Sequence, residues 1–370
     1  MKHLKVLICL LPMFVLACRE EKSADAPAPQ PKPDISLEPS ELVLFDKIQR
    51  MEEAVSQLWP SFDMTEFPAY IITESPEAKG YFVNSPVHRQ SLYKIEDAPG
   101  RMTFYRNDDY IQEVEEYFGA YRFYALYYKI EGVEHMIMRP YRTPTTYTEY
   151  KNKDSNFFPL VYTHELFHVY QAETWNLPDG SDETFTASEE FLLLNLLLHD
   201  LMAEAYSLNS EADMRRYLRY YAGLRYEMMQ LDDTTTAYVE EMLLNGELLE
   251  GTARYIEVFS ARQTIYPDVN SDPTHTFGNL LRAASNPDAI EHSLLIRPRY
   301  HIGAIVTYML MELGVDVEQR YTAGNTPYEV TVDFLQLNTE HLSEAAMQSR
   351  AEVNYPDYQV WAAELMAHFE

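Results

Sequence analysis

Only two cysteines occur in the 370 residues, Cys9 and Cys18, and both stand near the N-terminus. A chain that loses its leader ahead of Cys18 has no second thiol, so no disulfide framework is available and the fold must stand on its apolar core. Basic residues are scarce too: 29 Lys and Arg face 58 Asp and Glu, for a formal net charge of −29. Phosphate backbones are bound through Lys and Arg displacing condensed counterions, so nucleic acid is excluded as a partner. The N-terminal apolar run stops at Ala17, short of the ~20 residues that span a bilayer core. There is no internal repeat. What is present is an ordinary hydrophobic share of 46%, enough for one large domain or two smaller ones.

The opening MKHLKVLICLLPMFVLAC places Lys2 and Lys5 before that apolar run, the layout of an export leader rather than an anchor helix. Val15-Leu16-Ala17-Cys18 resembles the lipobox of bacterial lipoproteins, which implies a signal peptide over 1–17 and lipidation of Cys18. Residues 18–39, rich in Ala, Pro and charge, cannot bury enough apolar surface to order themselves and read as a tether. Arg19 after the lipidated position resembles the pattern sorted to the outer membrane in a Gram-negative source. The expected location is the cell envelope, facing the periplasm or the cell surface, with membrane contact through the lipid alone. The alternative is an ordinary signal peptide with an incidental Cys.

Beyond the tether, Leu44, Ile48, Met51, Val55 and Leu58 recur at spacings of four and three, a helical stripe that Trp59-Pro60 ends. Short runs rich in β-branched and aromatic residues follow at 69–73, 80–84, 122–130 and 135–139. Glu131-Gly132 between the last two marks a hairpin. From residue 156 the pattern becomes helical, over 158–175, 185–208, 210–231, 236–262, 299–313 and 343–369. The expected fold is α+β: an N-terminal part over 40–155 with a small, mostly antiparallel sheet, then a helical part over 156–370.

YTHELFHVYQAE, residues 162–173, carries the chemistry. His164 and His168 lie four apart on a helix and share one face, so both imidazoles can reach one ion. Zinc suits neutral imidazole nitrogens, and a catalytic zinc keeps three protein ligands and one open position. Glu165, one residue after the first His, can take a proton from an attacking water. The bland alternative is a structural helix with two histidines on its surface. No Gly and third His follow, since Tyr170 and Thr174 occupy those places, which excludes the metzincin arrangement. The third ligand must come from another segment. ELLEGTARYIE, residues 247–257, offers Glu250 followed by the small residues Gly251 and Ala253, which permit a close helix approach. Glu189, Glu190 and Glu247 are the alternatives, with solvated helix faces or N-terminal turns as their ordinary roles.

Together these segments resemble the gluzincin metallopeptidases, in which an HExxHxxQ helix is followed by one reading EGxAxY; Gln171 and Tyr255 also match. The resemblance implies His164, His168 and Glu250 as zinc ligands and Glu165 as general base. It departs in spacing, with a helical insertion over roughly 185–240. Arg254 also stands where thermolysin-like enzymes carry an Asp that orients a metal histidine, and Glu257 is the candidate for that task. RPRYHIGAIVTYMLMELG, residues 297–314, resembles the YxKGA helix of gluzincin aminopeptidases, which implies Tyr300 as the oxyanion donor. Gly303 and Ala304 match there, Ile302 replaces the Lys, and His301 is a lesser candidate for the same role. A core or interface tyrosine is the ordinary alternative for Tyr300. The G-x-M-E-N segment that binds a substrate's amino group is missing, which favours an endopeptidase. HMIMR, 135–139, is a candidate sheet edge for an extended peptide.

The resulting expectation is a zinc-dependent peptidase tethered to the cell envelope. The runners-up are a non-catalytic envelope lipoprotein using the same scaffold to bind a partner, and a zinc hydrolase of a non-peptide amide. The acidic surface keeps the chain soluble and mildly favours basic substrates. Oligomeric state is not encoded in any feature of the sequence.

Overall fold

The structure, a computed structural model, describes residues 37–73, 77–87, 93–94, 100–118, 126–139, 158–177, 188–232, 237–265 and 297–369. The leader, Cys18 and nearly all of the tether lie outside the described residues. Among those described, no helix is long and apolar enough to cross a membrane. The fold is mixed α+β, as the sequence patterns indicate, and contacts divide it into two units within helix α1 (Pro39–Leu58). Leu44, Ile48, Met51 and Val55 of its stripe are all buried. The helix stops at Leu58, one residue before Trp59, which precedes Pro60 and is thereby pushed out of the helical region.

The first unit combines the first half of α1, up to Gln49, with residues from Thr65–Thr143. Its strands are β1 (Ala69–Thr73), β2 (Lys79–Val83), β3 (Tyr93–Lys94), β4 (Phe104–Arg106), β5 (Leu126–Ile130) and β6 (Val133–Met138), in the order β3-β4-β2-β1-β6-β5. Only the β1–β6 pair is parallel, with Ala69 opposite Met136. Successive side chains of β2 serve opposite faces, as the two-residue period of a strand requires. Tyr81 packs on Phe45 of α1 at 5.0 Å between ring centroids, while Phe82 meets Tyr70 at 4.8 Å and Tyr110 at 5.7 Å. Helix α2 (Ile111–Phe118) adds Val114 to this second face. The β5–β6 hairpin turns at Glu131 and Gly132, both at positive φ, the geometry that matches strand twist in a two-residue loop.

The expectation that HMIMR forms a sheet edge is overturned. β6 lies between β1 and β5, and the edges are β3 and β5. The run His135–Met138 is buried throughout, as a strand covered on both faces must be.

The second unit joins Arg50–Met64 to residues from Pro144–Glu370. Its helices are α3 (Phe158–Thr174), α4 (Glu189–Ala205), α5 (Glu211–Leu231), α6 (Thr252–Thr264), α7 (Arg297–Glu312), α8 (Val317–Thr322), α9 (Pro327–Leu335), α10 (Thr339–Ala351) and α11 (Tyr355–Phe369). The single helix expected over 343–369 is two, α10 and α11, separated by a turn at 352–354. Residues 236–262 are not uniformly α-helical: Val239–Leu244 and Glu247–Gly251 are π-helical, and α6 follows directly.

His135 gives the sheet unit a titratable core. Its Nδ1–H donates to the Val133 carbonyl oxygen at 2.8 Å, so Nε2 accepts from the Ser85 hydroxyl at 2.7 Å. Burial pushes the imidazole down to about 4, against the Val133 bond, which favours the charged form. In the unfolded chain it titrates near ~6.5. The unfolded state therefore takes up a proton first, and stability falls as pH drops from ~6.5 towards 4, by about 2–3 kcal/mol. Urea unfolding at pH 7 and pH 4.5 should show His135→Gln losing less stability than the wild type over that interval.

Candidate metal centre

All the residues of the candidate site belong to the helical unit. Helix α3 is buried along most of its length, with Val161, Glu165, His168 and Val169 half-buried and its last residues exposed. Phe167, on one stripe, meets Trp59 at 5.6 Å and Phe62 at 5.0 Å, and the Thr163 hydroxyl donates to the Pro159 carbonyl oxygen one turn back. These contacts fix the helix from behind. The neighbouring stripe then carries His164, His168 and Gln171 together.

The second wall is the π-helical turn Glu247–Gly251, which holds Glu250. Gly251 lies against Gly303 of α7: a Cβ built on Gly251 would sit 2.5 Å from the Gly303 Cα, and one built on Gly303 would sit 2.4 Å from the Glu247 carbonyl oxygen. Only hydrogen at both positions lets the backbones touch. The small residue after Glu250 thus serves a crossing with α7.

His164 Nε2 and His168 Nε2 lie 3.1 Å apart, and Glu250 Oε2 lies 3.3 Å from the first and 3.1 Å from the second. Among the described residues no other three His, Cys, Asp or Glu side chains converge in this way. A zinc ion ~2.0–2.1 Å from each ligand in tetrahedral geometry sets its ligand atoms about 3.3 Å apart. The observed triangle is close to that size, so the two imidazoles and the carboxylate fit the donor set of the ion.

An outer ring of partners fixes both imidazoles. His164 Nδ1 lies 2.8 Å from Glu257 Oε2, and the other Glu257 oxygen accepts from Arg254. Glu257 is buried, and Arg254 pairs with its carboxylate. His168 Nδ1–H donates to Gln171 Oε1 at 2.7 Å, and Gln171 Nε2 donates to the Leu249 carbonyl oxygen at 3.1 Å. Both rings consequently direct Nε2 at Glu250, as paired metal histidines do when their other nitrogen has a partner.

Charge in the site is strongly coupled. Burial alone would lower the proton affinity of His164, but Glu250 and Glu257, helped by Glu165, push it up to about 10. His168 is also raised, against burial, chiefly by Glu250. Burial would raise the Glu250 carboxyl, yet His168 and His164 hold it far below the usual range. Glu165 is half-buried, and its charge is felt by His164, His168 and Tyr300. Tyr300 lies with its ring nearly parallel to that of His164, 5.9 Å between centroids, and its hydroxyl feels the Glu250 carboxylate. Burial first, then that carboxylate, keep the phenol protonated far above its ordinary range.

The remaining candidates lie elsewhere. Glu189 and Glu190 are exposed in the first turn of α4, capped by Ser188. Glu247 is fully buried against Arg225. His301 faces His199, 5.9 Å between rings, and Tyr255 packs on Phe259 at 4.7 Å. Gln171 was legible only as a motif match, although a carboxamide three residues after a histidine can reach its ring. No protein-family model, curated protein or solved structure matches the chain.

Removing the Glu257 carboxylate takes a buried acidic partner from both His164 and Arg254. Urea unfolding of Glu257→Ala at pH 7 should show a loss of about 3 kcal/mol. Glu257→Gln, which keeps an acceptor for Nδ1–H, should lose clearly less.

Proposed function

We propose that the chain is a zinc-dependent hydrolase of peptide bonds, acting as an endopeptidase at the cell envelope. The observation that carries this reading is the triangle of His164 Nε2, His168 Nε2 and Glu250 Oε2, whose edges match the ligand spacing of tetrahedral zinc. The gluzincin-like residues around it, Glu165, Gln171 and Tyr300, support the same chemistry.

His164 Nε2, His168 Nε2 and Glu250 Oε2 would hold the zinc, whose positive charge would acidify a water and polarise a carbonyl. The protein's own groups divide the remaining work. Glu165, beside the first ligand, takes the proton of the attacking water and returns it to the leaving amine. Tyr300, kept protonated by its surroundings, donates a hydrogen bond to the oxyanion that forms as the carbonyl carbon becomes tetrahedral. Glu257 and Gln171 hold the two rings in the tautomer that keeps Nε2 free for the ion. The chain has no G-x-M-E-N segment to engage a free amino terminus, which supports internal cleavage. Lipidation at Cys18 would keep the enzyme at the membrane surface.

A mixed peptide library incubated with the zinc-loaded protein should be cleaved. Glu165→Gln should retain zinc at one per chain and lose on the order of 10²–10⁴-fold in kcat/KM. Retained zinc with no cleavage of any peptide by the wild type would favour the partner-binding scaffold, and cleavage of another amide alone would change the substrate class.

Zinc uptake should also depend steeply on pH. Glu250 and Glu257 hold His164 up to about 10 against its burial, so at pH 7 the ion must displace its proton. Zinc should therefore bind more tightly as pH rises, with at least about one proton released per ion near neutrality, measured by titration calorimetry in buffers of different ionisation enthalpy. Binding without proton release would contradict the charge state described. A Cys18→Ser variant should leave the membrane fraction and appear in the soluble one.

A further inference from the structure

One set of buried ionisable groups has no part in the chemistry above. Arg225 of α5, Glu247 and Tyr221 are each without solvent exposure. The Arg225 guanidinium donates to Glu247 Oε1 through Nε at 2.9 Å and through Nη2, while the Tyr221 hydroxyl donates to Glu247 Oε2 at 2.5 Å. Arg225 Nη1 lies 3.0 Å from Met228 Sδ. A charge pair fully withdrawn from water is a weak source of stability, because desolvation offsets most of the attraction. Its cost asks for a role other than stability.

The position of Glu247 supplies one. It opens the π-helical turn that ends at Gly251 and contains Glu250. π-helical turns are intrinsically disfavoured and concentrate at functional sites, so the geometry must be imposed by neighbours. Three neighbours grip this turn. Gly303 of α7 lies against Gly251 and the Glu247 backbone, Gln171 of α3 donates to the Leu249 carbonyl oxygen, and Arg225 with Tyr221 of α5 holds the Glu247 side chain. The first is a close backbone approach at two residues and the second a single bond to a carbonyl oxygen. The third grips a side chain of the turn, with Arg225 on Oε1 and Tyr221 on Oε2, which opposes rotation of the turn about its axis and steadies the direction in which Glu250 leaves the helix.

We propose that Arg225 and Tyr221, acting through Glu247, are positioning residues for Glu250: they hold the π-helical turn in the register that delivers the third metal ligand. This rests on the metal reading above for its consequence in zinc affinity, but the grip on the turn stands apart from it. The buried pair is thus a cost in stability retained for placement of a carboxylate.

The test replaces the whole cluster by apolar groups of similar volume, Tyr221→Phe with Arg225→Met and Glu247→Met, a kind of exchange that cores tolerate. Folding is checked by circular dichroism and melting, and Tyr221→Phe alone serves as the milder variant should the triple one not fold. Two quantities are read. In the metal-free protein, amide hydrogen exchange across 245–252 should speed up at least tenfold in the triple variant, relative to α3. Zinc Kd should rise ~10–100-fold in the triple variant, the range seen when groups supporting metal ligands are removed, and a few-fold in Tyr221→Phe. Leu342→Ala, a buried site on α10, is the control: it should lower the melting temperature and leave zinc Kd within twofold. Unchanged exchange in the turn, or a zinc Kd that moves no more than in the control, would overturn the proposal. Failure of the wild type to bind zinc would instead sink the metal reading, and the exchange measurement would still decide the positioning role.

Discussion

A carboxylate set among buried groups is stabilised by positive charge or by donors, and Glu250, half-buried, is met by the Nε2 atoms of two imidazoles. That requirement organises the helical unit. The rings can face Glu250 only because their far nitrogens are occupied, one by Glu257 and the other by Gln171. Glu257 in turn is tolerable in the interior because Arg254 shares it. Each polar group lies against the next, so a chain of contacts runs from Arg254 through Glu257, His164, Glu250, His168 and Gln171 to Leu249. On the proposed reading, protons and a metal ion would compete for the same three atoms. The carboxylate raises the proton affinity of both rings, and the same convergence would serve as a coordination corner.

Bringing Glu250 to that point depends on backbone contact that side chains would prevent. Gly251 and Gly303 touch, and the first turn of α7 thereby places Tyr300 beside His164. One crossing therefore sets two distances at once, the ligand carboxylate to the imidazoles and the phenol to the carboxylate. A methyl group at either glycine would push α7 outward and take Tyr300 with it. The aromatic packing behind α3, from Trp59 and Phe62, resists the opposite displacement.

The parts of this arrangement that depend on local pattern were legible in the sequence. The stripe of α1, the strand at 69–73, the pairing of His164 with His168 and the small residues after Glu250 are all visible within a window of a few turns. What was not legible is what depends on partners far along the chain. A π turn differs from an α turn in hydrogen-bond register rather than in residue type, so 236–262 reads as ordinary helix. Arg225 and Glu247 look like surface charges on amphipathic helices until α5 is laid against the π-helical turn. The order of strands is equally non-local: HMIMR has the composition of any strand, and only its parallel pairing with β1 makes it interior. β3 and β4 are too short to show a period, and so are α8 and α9.

Arg254 stands where the enzymes that the sequence resembles carry an acid, and it pairs with Glu257. An orienting carboxylate four residues after Glu250 would lie one turn along, on the face that approaches α3. Here the carboxylate sits three residues further on, at Glu257, and the longer glutamate side chain reaches His164 Nδ1 from there. A glutamate has one more torsion than an aspartate and is less well fixed on its own. Arg254 removes that freedom by holding the second oxygen, so the residue that breaks the familiar pattern is also the one that makes its replacement work. The orientation of the imidazole, rather than the identity of the position that supplies it, is what the chemistry requires.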